Sequence, residues 1–194
     1  MARSARNKRN PQVDEIMLWS TIDNLKNMEL ASRAVELREK LRSFNDQELV
    51  SFHQEAVSAF RELFTPEVYH LYCSVYDGEV NDSGLTDFCS NVMLAGRRLF
   101  ELVSTDPDHF ADVGNVSSFN DDYGVDVSEV SRDLLLERHS EDAVDDMFQR
   151  AGTNTLDGIW DDLESRLGSL TFEPDWSLVR EVMPRVFARF GPNH

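Results

Sequence analysis

Apolar residues recur at steps of three and four along almost the whole of this chain, and that spacing restricts the choice of fold class. Leu30, Ala34, Leu37, Leu41 and Phe44 form one such series, Leu49, His53, Ala56, Phe60 and Leu63 a second, and Leu156, Ile159, Trp160, Leu163 and Leu167 a third. Residues so spaced share one face of a helix, where they can be buried together. No stretch longer than four residues alternates cleanly between polar and apolar, and no Asn-Gly hairpin turn occurs. The spacing therefore predicts an all-α protein of about seven to nine helices.

Local start and stop signals divide the pattern. Asn45 with Glu48 three residues on reads as a capping box opening a helix to about Phe64. Thr65-Pro66-Glu67 sets a hydroxyl cap before a proline at the first helical position, for a helix to about Tyr76. "DGEVNDSG" reads as a loop, Asp106-Pro107 as the start of a short helical turn, and "VGNVSSFNDDYG" as irregular chain. Helices are expected near 126–138, 140–150 and 156–167, with a last one from about Asp175 that Pro184 should kink or divide.

The stretch "DFCSNVMLAGRRLFE" is the exception to easy reading. It is taken as part of one helix over about 85–104, with Phe88, Val92, Ala95, Leu99 and Val103 on its apolar face at about 100° per residue. Gly96 then falls at the edge of that face, as a position where a neighbouring helix can approach. Arg97 points away from the apolar centre, within reach of Glu101 at i+4. Arg98 lies on a flank.

At 194 residues with 41% apolar content and 12 Phe, the chain can bury a substantial core. The expected organisation is a flexible basic arm over 1–11 and a single helical domain over 12–194. Cys73 and Cys89 both fall inside apolar helical patterns, so two buried thiols are expected rather than a disulfide framework or thiolate metal site. No apolar run approaches the roughly 18 residues needed to span a bilayer. The basic opening "MARSARNKRN" leads into "PQVDEIMLWS" rather than an apolar signal segment, so a cytoplasmic protein is expected.

The formal charge of −17 is unevenly spread. The first ten residues carry Arg3, Arg6, Lys8 and Arg9 and no acid. From Glu101 to Glu164 there are 18 acidic residues against three arginines, a local balance of −15. An acidic body repels nucleic acid and anionic membranes and is compatible with a basic protein partner; the same acidity also serves simply to keep a protein soluble. Only the arm Arg3 to Arg9 would offer a weak nucleic-acid contact.

With the helices placed, three blocks show a likeness: "MLWSTIDNL", "NDSGLTDFCSNVMLAGRRLFELVSTDPDHFADV" and the closing "MPRVFARF". In these the chain resembles the bacterial DUF4240 family, domains of unknown function common in actinobacteria. The likeness spans about residues 13–190. Asp82, Asp87, Phe88, Gly96, Arg97 and Pro107 stand at the family's usual positions. Cys89 and Asn91 depart from it, standing where the family has Arg and Trp, and "LYCSVYDGEV" replaces a small-residue, Trp-rich segment. The resemblance implies the fold and brings no activity with it.

Several residue pairs have spacings that chemistry can use. Glu67 and His70 form an E-x-x-H pair of the spacing used by carboxylate-bridged metal sites in helical bundles, and Asp106 and His109 repeat it. With 36 acids and five histidines such pairs arise by coincidence, Asp106 reads better as a helix cap, and no metal or cofactor is expected. His53 on the apolar stripe reads as a core histidine with one satisfied nitrogen, and His139 sits among acids at a helix boundary. A Cys73–His70 dyad would need an exposed thiolate. "NDDYGVD" lacks a carboxylate of the calcium loop. No nucleophile elbow, phosphate loop or dinucleotide fingerprint occurs.

Two readings of function follow. In the first, the chain is a non-enzymatic interaction module, immunity- or inhibitor-like, that docks a basic partner through Asp142, Asp145, Asp146, Asp161 and Asp162. In the second, it is a small enzyme or a ligand or metal sensor, with a site near the 81–104 loop and helix formed by Asp82, Asp87, Arg97 and Arg98.

Overall fold

The computed structural model describes residues 11–76, 80–114, 116, 119, 126–152 and 158–192, with side chains from Met17 onward. The basic residues Arg3 to Arg9, most of the "VGNVSSFNDDYG" segment and most of "NDDYGVD" lie outside them. Every regular element among the described residues is helical. In order they are α1 (Pro11–Asp23), α2 (Leu30–Leu41), α3 (Asp46–Leu63), α4 (Pro66–Val75), α5 (Asp82–Leu94), α6 (Arg97–Thr105), a 3-10 turn (Pro107–Asp112), α7 (Val130–Leu136), α8 (Glu141–Ala151), α9 (Ile159–Leu167), α10 (Trp176–Val182) and α11 (Pro184–Phe190).

That is twelve helical segments where seven to nine were expected. The excess has identifiable causes. Pro184 cannot donate the N–H that would continue α10, so two helices stand where one began. The helix expected over 85–104 is also two, broken at Gly96, whose φ of +112° lies outside the helical region. The expectation of a packing glycine inside one helix is therefore corrected: Gly96 is the joint between α5 and α6.

The 18-residue α3 is the centre of the fold, packing against α1, α5, α6, α7 and α8. The capping box at its start is complete: Asn45 Oδ1 accepts the Glu48 N–H at 3.0 Å, and the Asn45 N–H donates to Glu48 Oε2 at 2.8 Å. Thr65 caps α4 through the Val68 N–H. In α4 every residue from Val68 to Val75 is buried, and in α5 every residue from Phe88 to Leu94. A helix covered on all sides sits inside the molecule, which is why both cysteines are enclosed. Rings of Tyr72, Phe88, Phe110 and Phe119 follow one another at centroid separations of 5.3–5.8 Å. Burying each such ring is worth about 1.5–3 kcal/mol.

The closing helix is held by polar groups reaching across the chain. The N-terminal neighbour of α11 is Met183, which has no side-chain oxygen to offer its free N–H groups. Asp108, on the 3-10 turn and only 7% exposed, supplies one: its Oδ1 accepts from Arg185 N at 2.8 Å and Val186 N at 2.9 Å. Arg185 also pairs with Asp112, and Arg189 donates to the carbonyls of Ala111 and Val113. So the end of the second resembling block, "DPDHFADV", and the third block, "MPRVFARF", are mated surfaces.

Candidate functional site

The Gly96 joint is clamped from both sides by residues of the first two helices. Asp23, at the end of α1, accepts the Arg97 N–H at 3.1 Å, putting a carboxylate on the N-terminus of α6. Arg33 of α2 donates to the Leu94 carbonyl at 3.0 Å, putting a guanidinium on the C-terminus of α5. Both signs suit the helix dipoles they face. Arg33 also bonds the carbonyls of Lys26 and Met28, tying the α1–α2 turn to the same point. Burial lowers the Arg33 pKa, and the nearby Asp23 charge opposes that shift.

This geometry answers what Arg97 does. Its backbone N–H, which an anion at the helix terminus would use, is engaged by Asp23. Its side chain projects outward and binds Glu101 at 2.6 Å, as the i+4 spacing suggests. Arg98 is exposed. Asp82 is exposed at the first turn of α5, where Asn81 is the capping side chain and accepts the Gly84 N–H. Asp87 is half-buried. The 13 residues of α5 lie between Asp82 and Arg97, roughly 20 Å of helix, so the two ends are not brought into one site.

At the departures from the family pattern both side chains are buried. Cys89 is enclosed, and Asn91 donates to the Phe119 carbonyl at 3.0 Å.

Burial pushes the Cys73 thiol up to about 12 and Cys89 well above its ordinary value, so neither is a thiolate at neutral pH. His70 is buried and Glu67 exposed, and no group of three ligating side chains that could hold a metal occurs among the described residues. His70 Nδ1 faces the Asp175 N–H at 3.5 Å, and burial lowers its pKa against the opposing charges of Asp175 and Glu67. His53 is 2% exposed and stacked on Phe148 at 4.4 Å. One ring nitrogen bonds the Ser128 backbone, while Nδ1 has no partner among the described residues. It is the core histidine expected, its pKa held down to about 4 by burial and by Arg132. His139 meets Asp46 at 2.8 Å rather than the acids adjacent in sequence. His109 pairs with Asp106, leaving that spacing a local contact.

The acids expected to meet a partner lie on the outward sides of α8 and α9. Val144 and Phe148 turn α8 inward, and Ile159 and Leu163 do the same for α9. Asp142, Asp145, Asp161 and Asp162 are exposed and Asp146 is half-buried. Arg132 lies 3.5 Å from Asp145, Arg150 pairs with Asp146, and Arg166 lies 4.0 Å from Asp162. Asp142 and Asp161 have no ion-pair partner among the described residues.

Sequence reasoning missed one feature beside them. A cleft of about 400 Å³ opens between α3 and α8, lined by Asp46, Gln47, Val50, Met147, Arg150 and Ala151. Val50 and Met147 read in sequence as ordinary members of amphipathic helices. Only the placing of α8 across the first turns of α3 makes them walls. Asp23, Arg33 and Asp108 were missed for the same reason, since a capping side chain 60 or more positions away leaves no periodic trace.

No described helix is long and apolar enough to cross a membrane. The model of a family described as a protein of unknown function, DUF4240, matches residues 13–134, more than half of the chain. The first two of the three resembling blocks fall within that match, and "MPRVFARF" lies beyond it. No curated protein and no solved structure matches the chain.

Proposed function

The chain belongs to the DUF4240 family, and we propose that it is a non-enzymatic interaction module that docks a basic protein through the outer faces of α8 and α9. The observation that carries this reading is the sidedness of those helices. Their apolar residues are turned to the core, and Asp142, Asp145, Asp161 and Asp162 are left to solvent. Exposed carboxylates make the local potential negative and steer a cationic partner more than they add to affinity. A nuclease-like or nucleic-acid-binding protein has the complementary surface.

The test is affinity capture from the source organism at low and at moderate salt, with the wild-type chain and with Asp142, Asp145, Asp146, Asp161 and Asp162 all changed to Asn. A basic protein retained at low salt, released as salt rises and absent from the Asn variant is the expected result. Retention indifferent to both salt and the substitutions would defeat the reading.

A further inference from the structure

We infer that α8 is a flap that acid releases: a proton taken up by His53 frees α8 from α3 while the helices beneath stay folded. The inference goes beyond the docking reading and stands without it, since α8 opens or stays shut in the free chain. For that reading the consequence is that opening would carry Asp142, Asp145 and Asp146 out of their places on the acidic face. His53 is the point at which the elements meet. It projects from the middle of α3, bonds the Ser128 backbone just before α7 with one ring nitrogen, and stacks on Phe148 of α8 with centroids 4.4 Å apart.

The closed structure favours a neutral ring. Nδ1 has no partner among the described residues, and the residue is enclosed. The charge felt there is Arg132 of α7, of the same sign as an imidazolium. Neither ring nitrogen meets a carboxylate. Glu55, next on α3, accepts the Leu18 N–H of α1 at 2.6 Å, and Asp126, before α7, accepts from Ser90 and Ser128. On α8, Glu141 and Asp145 lie at the Arg132 guanidinium, and Asp146 pairs with Arg150. A second proton on the ring would make a buried cation without an acceptor, beside another cation, which the closed form tolerates poorly.

Of the two elements that His53 touches, α8 has the weaker hold. It buries Val144 and Phe148, whereas the shorter α7 buries Val130, Ser131, Leu134 and Leu135. The far end of α7 is also tied down: Arg38 meets Asp133 and Glu137, Arg138 donates to the carbonyls of Arg42 and Phe44, and His139 bonds Asp46. The polar ties of α8 include the Gln54 side chain, which donates to the Ala151 carbonyl at 2.8 Å, and exposed ion pairs to Arg132, which are worth little. Ser140, between the fixed His139 and α8, makes no side-chain bond to the helix it opens, and the hinge falls there. Elements with few buried contacts open first. Swinging α8 away uncovers the face of His53 that lies under Phe148. A hydrated imidazole takes its proton at about pH 6.5, the closed one only near pH 4, so acid draws the chain toward the open form.

The test is hydrogen exchange of the full chain, read by mass spectrometry at pH 7 and pH 5, with the intrinsic pH dependence of exchange divided out. Protection of the 141–151 amides is expected to lie about tenfold or more below that of 88–94 at both pH values, which marks an opening short of global unfolding. It should fall about twentyfold from pH 7 to pH 5, the factor given by a ring pKa of about 4 when closed and about 6.5 when open. In His53→Phe, which keeps a ring against Phe148, that fall should vanish. Equal protection of 141–151 and 88–94 in the wild type would overturn the flap, because α8 would then be released only by global unfolding. A fall that survives His53→Phe, or one that in the wild type begins only below about pH 4.5, would assign the release to carboxylates and overturn it too. The wild-type onset needs no variant, so the inference is still decided if His53→Phe does not fold.

Discussion

The Asp23 carboxylate and the Arg97 backbone N–H, separated by 74 positions in sequence, meet at 3.1 Å. This contact makes the α5–α6 break a designed joint rather than a frayed helix. A β-carbon on Gly96 would lie 2.9 Å from Asp23 Oδ1, so the residue without one is what allows the carboxylate to come so close. The Gly-Arg step of the family pattern therefore has a structural purpose here: the glycine makes the turn, and the following N–H is capped from a distant helix.

Removing that cap should cost stability without touching the core. Asp23→Ala is expected to lose about 1 kcal/mol, the usual worth of an N-terminal cap, and Asp23→Asn to keep most of it. Gly96→Ala should cost more, about 1–3 kcal/mol, because an L-residue is strained at φ +112° and crowds the carboxylate. Urea unfolding of the three variants gives the ranking, and a Gly96→Ala protein as stable as wild type would contradict it.

Asp108 should hold the closing helix in the same way. Asp108→Ala leaves two N–H groups of α11 without their acceptor, one of them on buried Val186, for an expected loss of about 1–3 kcal/mol. The effect should be local first. Amide exchange in 184–190 is expected to accelerate while that of α3 stays slow, since α11 rests on the 3-10 turn and α4 rather than on the central helix.

His53 should make the fold acid-sensitive. Its folded pKa of about 4 lies below the ordinary 6.5, so between those values the unfolded chain holds a proton that the folded chain does not. Stability is then fully present above about pH 6.5 and falls as the pH drops toward 4, by up to about 3 kcal/mol. His70, lowered in the same direction, adds to the trend. His53→Phe, which keeps a ring against Phe148, should flatten the difference in stability between pH 7 and pH 5. Asp126, whose pKa burial raises, contributes equally to both proteins and cancels in that comparison. An unchanged slope in the variant would assign the acid sensitivity elsewhere.

The two thiols should be chemically silent while the chain is folded. Cys73, held up to about 12, and the enclosed Cys89 are expected to resist iodoacetamide at pH 8 and to react fully in denaturant. Mass spectrometry counts the adducts. Rapid labelling of Cys73 in the native protein would mean that α4 opens far more readily than its burial implies.

Much of the architecture was legible because it is local. The capping box at Asn45 and Glu48, the hydroxyl cap at Thr65, the division at Pro184 and the Arg97–Glu101 pair all join residues within four positions of one another. Their chemistry is set before any helix meets another. The break at Gly96 was not legible: an apolar period of 3.6 continues from Val92 to Val103 as though one helix ran through. A glycine inside such a run is tolerated in many helices, at about 1 kcal/mol. Whether this one bends depends on what stands ready to satisfy the ends it frees.

The amino-acid order by itself determined that this chain is helical, where most of its helices begin, that its thiols are buried and that its acids are concentrated between Glu101 and Glu164. These follow from periodicity, from caps and from composition, all read over a few residues at a time. The tertiary structure alone decided that Asp23 and Arg33 clamp the joint, that Asp108 seats the last helix, and that Val50 and Met147 face each other across a cleft. Those are encounters between segments 60 to 100 residues apart. Long-range pairing is settled by how whole helix faces pack around α3, and a side chain's sequence neighbours carry no trace of the partner that packing will bring to it.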